Sequence, residues 1–309
     1  MFFPSNYATI CVRLNLCGVC QWSERPTKNM FIISADWFWY GLVLAAGLIL
    51  GSYLNSWMWR VHEGRWQFKP RFPGGEGAQP STIARIGGRS VCIHCQRVLA
   101  WFENIPLGSF LVLRGRCRTC RRAIPLDYFL VELAAALLFV GITYYHLHLP
   151  AFSPWHFFRD IFFSALLVVV FVYDLKYYII LPSLTLAGTT IAIFFNIQYS
   201  TVGIKYWILG AIVGGGFFAL QYLISSGRWI GAGDIYLGVM MGALLGWPVI
   251  LVAFFAAYIL GALAAVPLLV FKKKGLKSEV PLGTFLAVGT FIAMFWGNNA
   301  IQWYWSLIR

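Results

Sequence analysis

Long apolar runs set the strongest constraint on how this sequence can fold. Several of the runs have about the 20 residues that a helix needs to cross the hydrocarbon core of a bilayer, and polar breaks separate the runs. Only 11% of the 309 residues are charged, less than half of the roughly 25% found in soluble domains. The fold class predicted from this pattern is an all-α polytopic membrane protein.

The apolar runs predict about eight transmembrane helices, if each run crosses the membrane once. The predicted spans are residues 37–59, 128–147, 157–173, 179–197, 207–224, 234–245, 249–271 and 282–303. They define a first transmembrane helix at 30–59, a cysteine-containing loop domain at 60–125 and a transmembrane domain at 126–309. Residues 1–29 hold no span, whereas Met30 opens a natural first membrane helix. We therefore hypothesise that residues 1–29 are an extension that is not native.

The distribution of basic residues orients the predicted helices. Twelve of the 24 Lys and Arg residues lie between Arg60 and Arg122, and positively charged loops stay on the cytoplasmic side of a membrane. With that loop in the cytoplasm, 18 basic residues lie on the cytoplasmic side and six on the other. The net charge of +13 therefore follows from membrane topology, and we expect no nucleic-acid partner.

Two C-x-x-C pairs lie in the predicted cytoplasmic loop. Cys92 and Cys95 form the first pair, and Cys117 and Cys120 form the second, with 21 residues between them. Thiols stay reduced in the cytoplasm, which argues against disulfides. Two such pairs are typical of a four-thiolate zinc site, in which the ion has no open position for water. The spacing therefore favours a structural Zn²⁺ that organises a loop with little apolar core over redox chemistry of the two pairs.

Acidic residues are scarce, with 11 in the whole chain, and two of them adjoin apolar runs. Asp174 follows the run S-A-L-L-V-V-V-F-V-Y, and Asp234 precedes the run Y-L-G-V-M-M-G-A-L-L-G. A carboxylate near hydrocarbon is costly and usually functional. Taken alone, however, either residue is also explained as a polar helix terminus, and Asp234 as an N-cap after glycines.

The predicted topology brings Asp174 and Asp234 to the same, cytosolic end of their helices. Two carboxylates in a poorly hydrated site share a proton, so one can take a proton from water while the other polarises a peptide carbonyl. Gly231 and Gly233, just before Asp234, permit close backbone approach and predict an active-site loop. The sequence contains no G-x-S-x-G or H-E-x-x-H pattern that would support another hydrolytic mechanism.

Five elements, in the same order and at plausible spacings, make the chain resemble the bacterial prepilin peptidases, a family of G-x-G-D membrane aspartyl proteases. The elements are G-S-Y-L-N at 51–55, the cysteine-bearing stretch 92–133, D-L-K with L-P at 174–182, G-A-G-D at 231–234 and V-P-L-G-T-F-L-A at 280–287. They are similar, in that order, to the family's G-S-F-L-N element, its cytoplasmic cysteine domain, the elements of its two catalytic aspartates and its P-F-G-P-F-L-A segment.

The resemblance implies an aspartyl endopeptidase at the cytoplasmic face of the bacterial inner membrane, with Asp174 and Asp234 as its catalytic residues. The transmembrane domain at 126–309 would be the peptidase domain. The substrates would be type IV prepilin or type II secretion pseudopilin precursors, whose own hydrophobic helix approaches through the membrane lipid. Members of the family also N-methylate the new amino terminus with S-adenosylmethionine, so that cofactor is implied as well.

Several positions depart from the family's pattern. Tyr236 stands where the family usually has Lys, and Ser183 stands where Asp or Asn is usual. Lys176 and Tyr177 occupy positions where an acidic and a small or polar residue are common, and P-F-G-P is replaced by P-L-G-T. Both carboxylates are present, so we predict proteolysis, and the differences concern which leader is cut. No motif in the sequence independently indicates a methyl-donor site.

Two other classes of protein share some of these features. A transporter or channel also needs scarce carboxylates near the membrane, but it often has internal repeats and helices broken at mid-membrane, which are not evident here. A non-catalytic scaffold that recruits a partner through a zinc loop would explain the cysteines but not the two aspartate elements. Cleavage of a pilin-like precursor distinguishes the peptidase from both.

Overall fold

The structure is a computed structural model that describes residues 30–66, 90–95, 97–149, 152–199, 203–270 and 281–308. The predicted extension 1–29 lies outside the described residues, as do residues 67–89 of the predicted loop domain and the polar break 272–279. The chain divides into two units between Trp39 and Tyr40. Of the first unit, the structure describes only the start of the first helix, at residues 30–39.

Regular structure in the described ranges is helical, apart from two isolated β-bridges in the cysteine loop. The helices are α1 (Met30–Trp66), a short 3-10 helix (Trp101–Asn104), α2 (Gly108–Val112), α3 (Leu126–Leu147), α4 (Pro154–Tyr177), α5 (Pro182–Tyr199), α6 (Ile204–Ser225), α7 (Ala232–Leu245), α8 (Val249–Val270) and α9 (Leu282–Ile308). The all-α fold predicted from the apolar pattern is confirmed.

Five of the described helices are long and apolar enough to cross a membrane. Their spans are Trp37–His62, Leu126–Leu147, Ile204–Ser225, Val249–Val266 and Leu282–Ile308. The other three predicted spans correspond to α4, α5 and α7, of which α7 is apolar but only 14 residues long. The chain therefore has the architecture of a multi-pass membrane protein, and the count of eight spans stays a prediction.

Helices α6 and α7 pack through glycines that are spaced four residues apart. Gly210 and Gly214 of α6 lie against Gly242 and Gly238 of α7, and a Cβ built on any of the four would collide with the carbonyl oxygen of the opposite glycine. Small residues at this spacing let two membrane helices approach to backbone contact, where van der Waals packing holds them together. The contact fixes the position of α7, whose first turn carries Asp234.

Helices α4, α8 and α9 complete the core around α7. Leu166 of α4, Leu237 of α7, Ile250 of α8 and Leu286 of α9 belong to one cluster of buried apolar side chains. Gly289 of α9 lies directly against the backbone of α8, where a Cβ would collide with a carbonyl oxygen. Through this packing the start of α9 lies beside the end of α4.

Helix α1 packs on α3 through two more glycines. A Cβ on Gly47 would lie 2.7 Å from Ala136 Cα, and a Cβ on Gly51 would lie 2.8 Å from Glu132 Cα. Beyond them, Asn55 Nδ2 donates a hydrogen bond to the backbone carbonyl of Tyr128 at 2.9 Å. The end of α1 and the start of α3 are thus held together where the cysteine loop connects them.

We predict that Gly214→Ala destabilises the protein, whereas Gly216→Ala does not. The added methyl group at Gly214 has to push α6 and α7 apart, and overpacking of this kind costs about 1–3 kcal/mol. A Cβ on Gly216, in the same helix, meets no atom within 4 Å. Thermal unfolding in detergent measures the difference, and equal midpoints for the two variants would contradict the proposed helix contact.

Candidate active site

Asp174 lies in the last turn of α4, where it is buried, with 5% of its surface exposed. Its Oδ2 accepts hydrogen bonds from the backbone N–H of Thr284 at 2.8 Å and from the Thr284 hydroxyl at 3.2 Å. The N–H of Gly283 donates to the same carboxylate. Gly283 and Thr284 are in the first turn of α9, so Asp174 satisfies N–H groups that a helix start leaves without partners.

Asp234 lies in the first turn of α7 and is also buried, with 7% of its surface exposed. Its Oδ2 accepts a hydrogen bond from the backbone N–H of Gly231 at 3.0 Å. Gly231 is itself the N-cap residue of α7, and Asp234 is the third helical residue. The N-cap role considered for Asp234 from the sequence is therefore filled by Gly231, although the Asp234 carboxylate does help to cap the helix.

Both carboxylates thus accept hydrogen bonds from the amino-terminal end of a helix, Asp174 at α9 and Asp234 at α7. Unpaired N–H groups and the helix dipole make such an end favourable for negative charge. The arrangement reduces the cost of burying a carboxylate without a basic partner. A role of these carboxylates as helix caps is therefore compatible with a functional role for the same residues.

The two carboxylates lie close enough for the charge of Asp174 to act on Asp234. Ile180, in the turn after α4, lies between the segments that carry them. A Cβ on Gly233 would lie 2.9 Å from Ile180 Cβ, and a Cβ on Gly283 would lie 2.8 Å from Ile180 Cδ1 and 3.0 Å from Asp174 Oδ2. Glycine at both positions lets these segments close around the pair.

The two glycines predicted for the active-site loop have different tasks. Gly233 is needed for space, since any side chain there would meet Ile180. A Cβ on Gly231 would lie 3.7 Å from Asp234 Oδ2, which is ordinary contact, and Gly231 contributes its N–H instead. The structure therefore brings Asp174, Asp234 and both glycines into one site.

Thr284, Gly283 and Ile180 were not singled out as site residues from the sequence. The signal for the first two was the V-P-L-G-T-F-L-A stretch, which resembles a family segment but does not by itself indicate a contact with Asp174. The similar segment has proline at the position of Thr284, and proline has no N–H to donate. In this chain Thr284 supplies two hydrogen bonds to Asp174 from that position.

The end of α4 also contacts α1 and α3. His62 stacks on Tyr177, with ring centroids 3.7 Å apart. Lys176 forms an ion pair with Asp127 and lies 5.0 Å from the ring centroid of Tyr128. The ammonium group two residues from Asp174 is therefore paired with a different carboxylate.

The four loop cysteines come together through two backbone turns of the same form. Val91 and Val98 form a β-bridge around the first C-x-x-C pair, and Arg116 and Ala123 form one around the second. In each turn the N–H of the first cysteine donates to the carbonyl five residues later, at 2.9 Å in both cases. Each pair of thiols is therefore presented by a short hairpin, as in the two knuckles of a four-cysteine metal site.

The thiol geometry fits a metal ion. The four Sγ atoms lie within 4.8 Å of one another, with those of Cys92 and Cys120 4.0 Å apart, and none of the four forms a disulfide. Zinc–sulfur bonds of about 2.3 Å in a tetrahedron require sulfurs at about this separation. The backbone N–H groups of Cys120 and Thr119 point to Cys117 and lower the pKa of that thiol to about 6, which favours the thiolate that binds metal.

Glu103 ties the first hairpin to the rest of the loop. It accepts hydrogen bonds from Arg97 Nη2 and from the backbone N–H of Ala100, both at 2.7 Å. The hydrogen bond from Arg97 lowers the pKa of this buried carboxyl. An ion pair to a buried carboxylate and a metal site are what a loop with few apolar side chains can use in place of a core.

A helical membrane protein with a buried pair of aspartates at helix ends and a four-cysteine loop belongs to the class of membrane aspartyl peptidases. Two family models match the chain: the Bacterial Peptidase A24 N-terminal domain at residues 45–146 and the Type IV leader peptidase family at residues 161–266. The first match contains the cysteine loop and the second contains both aspartates. The chain belongs to the type IV leader peptidase family.

Curated relatives agree with the family match over most of the chain. A prepilin leader peptidase/N-methyltransferase of Aeromonas hydrophila is 30% identical over 279 residues, which is 87% of this chain and 94% of the relative. The protein of that name from Legionella pneumophila is 30% identical over 294 residues, or 89% and 98% of the two chains. In Pseudomonas aeruginosa the identity is 28% over 273 residues, or 84% and 90%. No solved structure shows a significant match.

We predict that Cys92→Ser lowers the metal content of the purified protein, because it removes one of four thiolate ligands. Elemental analysis of wild type is expected to give about one metal ion per chain. Cys20→Ser is the control, since Cys20 is outside the predicted ligand set, and its metal content should equal that of wild type. Wild-type protein without bound metal would refute the metal site.

Proposed function

We propose that this chain is a membrane aspartyl endopeptidase that removes the leader of type IV prepilins or type II secretion pseudopilins. The observation that carries the proposal is the buried pair of Asp174 and Asp234, each held by helix-end N–H groups within a chain of the type IV leader peptidase family. The relatives are named for leader cleavage, which supports the same reaction here.

The proposed mechanism uses the two carboxylates as one acid–base unit. They share a proton, because two negative charges in a poorly hydrated site repel each other. The ionised carboxylate takes a proton from a water molecule, whose oxygen attacks the carbonyl carbon of the scissile peptide. The protonated carboxylate donates its hydrogen to the carbonyl oxygen. When the C–N bond breaks, a carboxyl group returns a proton to the leaving amine.

The hydrogen bonds of the site leave part of each carboxylate for this chemistry. Thr284 and Gly231 both donate to an Oδ2 atom, of Asp174 and Asp234 respectively. These donors fix the plane of each carboxylate, so we assign the other oxygen of each, Oδ1, to the water molecule and the shared proton. Prior orientation of both groups reduces the entropy lost on reaching the transition state.

The substrate would reach the site through the lipid. A pilin precursor carries its own hydrophobic helix, which would approach from within the bilayer. Helices α3, α6, α8 and α9 are apolar spans, so this approach needs no aqueous channel. By the positive-inside rule, the basic loop between α1 and α3 supports an orientation in which the site faces the cytoplasm at the bacterial inner membrane. The short leader would then remain on the cytosolic side.

We also propose that the new amino terminus is N-methylated from S-adenosylmethionine, as the names of the relatives indicate for those proteins. Bound S-adenosylmethionine would supply the methyl group, which the amine nitrogen would accept as it loses one proton to water, with S-adenosylhomocysteine as the leaving product. Methyl donor and cleaved substrate would have to meet on the same side of the membrane as the aspartates.

We assign the four-cysteine site to a structural Zn²⁺ held by Cys92, Cys95, Cys117 and Cys120. Four thiolates complete the tetrahedral coordination of zinc, so bound zinc supplies folding energy to the loop and no catalytic water. The transporter and scaffold alternatives have no specific observation in their favour. Neither a transporter nor a scaffold would require two carboxylates that each cap a separate helix start, with close-packed glycines beside them.

Cleavage of a prepilin by Asp174→Asn and Asp234→Asn variants tests the proposed peptidase. Each change should lower the rate by about a hundredfold or more, because an amide cannot act as the general base. The asparagine oxygen can still accept the hydrogen bonds at α9 or α7, so both proteins should fold. Product mass after incubation in lipid vesicles measures the reaction.

Asp160→Asn is the matched control for Asp174→Asn. Asp160 is a buried aspartate of the same helix, but it pairs with His146 at 2.9 Å and with Arg159 at 2.8 Å near the other end of α4. Folded Asp160→Asn protein should cleave at the wild-type rate. Undiminished cleavage by Asp174→Asn or Asp234→Asn would refute the catalytic pair, and a wild type that leaves pilin-like precursors uncut would refute the function.

A second measurement addresses methylation. With S-adenosylmethionine present, the cleaved wild-type product is expected to gain the mass of one methyl group at its amino terminus, and without the cofactor it should not. The aspartate variants supplied with an already cleaved pilin should still methylate it, because the carboxylate pair has no part in breaking the S–CH₃ bond. A product of unchanged mass from wild type would show that this chain is a peptidase alone.

A further inference from the structure

The short helix α2 of the cysteine loop has one packed face and one uncovered apolar face. On the packed face, the ring of Phe110 lies 5.2 Å from the ring of Phe129 in α3. On the other face, Leu111 is 65% exposed and Val112 is 83% exposed, so the described parts of the chain do not cover them. Two neighbouring aliphatic side chains with this much exposure on a five-residue helix need an environment that the loop itself does not provide.

The packed face of α2 is turned toward the membrane helices. With Phe110 and Leu113 it lines a cavity of about 380 Å³ between the cysteine loop and the ends of α1 and α3. Asn55 of α1 and Glu132 of α3 lie on the other walls of the same cavity. The uncovered face of α2 is therefore directed away from α1 and α3, toward whatever surrounds the helices.

One hydrogen bond fixes the depth of α2 relative to the membrane helices. Glu132 Oε2 accepts a hydrogen bond at 2.8 Å from the backbone N–H of Leu107, the N-cap residue of α2. Glu132 lies six residues after Leu126, where the apolar span of α3 begins. At 1.5 Å per residue, Leu107 is therefore level with a point about 9 Å inside that span. Helices that lie in a membrane interface bury their apolar face to a similar depth, about 5–10 Å.

Beyond α2 the chain returns to the level at which α3 begins. The carbonyl of Gly115 accepts a hydrogen bond at 2.7 Å from the N–H of Ile124, which is two residues before α3. Arg114 and Arg116 flank Gly115, and both are exposed. Two guanidinium groups thus stand near the level of the lipid headgroups, just above the apolar face of α2, and their long side chains can reach the phosphates.

The second cysteine hairpin, residues 116–123, adds to this positive charge. The exposed arginines of the region are Arg114, Arg116, Arg118, Arg121 and Arg122. None of the five forms an ion pair with a residue that the structure describes, whereas Arg97 of the first hairpin is paired with Glu103. Basic side chains that are not neutralised within the protein are attracted to the anionic lipids of the cytoplasmic leaflet.

We propose that α2 and the second cysteine hairpin dock into the cytoplasmic leaflet of the membrane. Leu111 and Val112 lie among the upper acyl chains, and Arg114 and Arg116 bind the headgroups of anionic phospholipids. An acidic soluble protein would match the arginines, but it would leave the two aliphatic side chains unexplained at the depth of the membrane helices. The cysteine loop is then held against the lipid beside α1 and α3, which goes beyond the proposed peptidase reaction.

Hydroxyl-radical oxidation of the full-length protein in nanodiscs of phosphatidylcholine and phosphatidylglycerol tests the position of α2. Peptide mass spectrometry gives the rate at each side chain. Val98 of the first hairpin is the comparison, because it is also valine but is only 46% exposed, against 83% for Val112. If water reached both, Val112 would be oxidised faster. We expect Val112 to be oxidised more slowly than Val98, because lipid covers it.

A photoreactive lipid identifies what covers this face. Phosphatidylglycerol that carries a diazirine in its acyl chain should form adducts at Leu111 and Val112 in the same nanodiscs, and not at Val98. Slow oxidation of Val112 without lipid adducts would mean that protein covers it, and would overturn the proposal. Faster oxidation of Val112 than of Val98 would overturn it as well.

Modification of arginines by p-hydroxyphenylglyoxal tests the headgroup contact. Arg114 and Arg116 should react about fivefold more slowly in nanodiscs that contain phosphatidylglycerol than in phosphatidylcholine alone, from the attraction of one basic residue to an anionic surface. High salt should reduce the difference. Arg97 is the control, since its ion pair with Glu103 is the same in both lipids. Equal rates at Arg114 and Arg116 in the two lipids would refute the contact.

The variant Arg114→Gln connects the two measurements. In nanodiscs with phosphatidylglycerol it should raise the oxidation rate of Val112 by about fivefold, because one headgroup contact no longer holds α2 in the leaflet. Lys205→Gln is the matched control, since it removes one positive charge from an exposed residue at the start of α6, outside the loop. Thermal unfolding confirms that both variants are folded. Equal oxidation of Val112 in the two variants would contradict the role of Arg114.

Discussion

The hydrogen bonds from Thr284 and Gly283 to Asp174 join residues about 110 positions apart, and the candidate site depends on them. They attach the start of α9 to the end of α4, which places the P-L-G-T-F-L-A stretch at 281–287 against Asp174. The same bonds lower the cost of burying a carboxylate by giving it N–H donors at a helix start. Asp174 is therefore both a cap for α9, through Oδ2, and a candidate acid or base, through Oδ1.

Close backbone contact brings the second carboxylate to the first. Helix α7 is too short to be held by a long apolar surface, and the glycine contacts with α6 let it pack at backbone distance instead. At its start, Gly233 leaves room for Ile180, and Gly283 leaves room for Ile180 and Asp174. The absence of side chains at a few positions thus does as much to assemble the site as the presence of the carboxylates.

The candidate aspartate pair and the cavity of the cysteine loop lie on neighbouring helices. The aspartates lie at the ends of α4 and α7, and the cavity with Asn55 and Glu132 lies at the ends of α1 and α3 beside them. The cysteine hairpins form a wall of that cavity through Cys92 and Cys117, so a metal ion in the loop would help to fix its shape.

Much of this was predictable from the sequence, because some patterns are local. Apolar runs determined the all-α membrane fold, the spacing of Cys92 and Cys117 with their partners determined the thiol cluster, and the position of Asp174 and Asp234 at the ends of apolar runs determined the candidate pair. Hydropathy and short-range spacing contain that information. The contacts of Asp174 with Thr284, the buried pair of His146 with Asp160, and the burial of Asn55 Oδ1 without a donor among the described residues were decided only by tertiary structure. Each depends on how distant helices pack, and no local pattern specifies which residues far apart in the chain will meet.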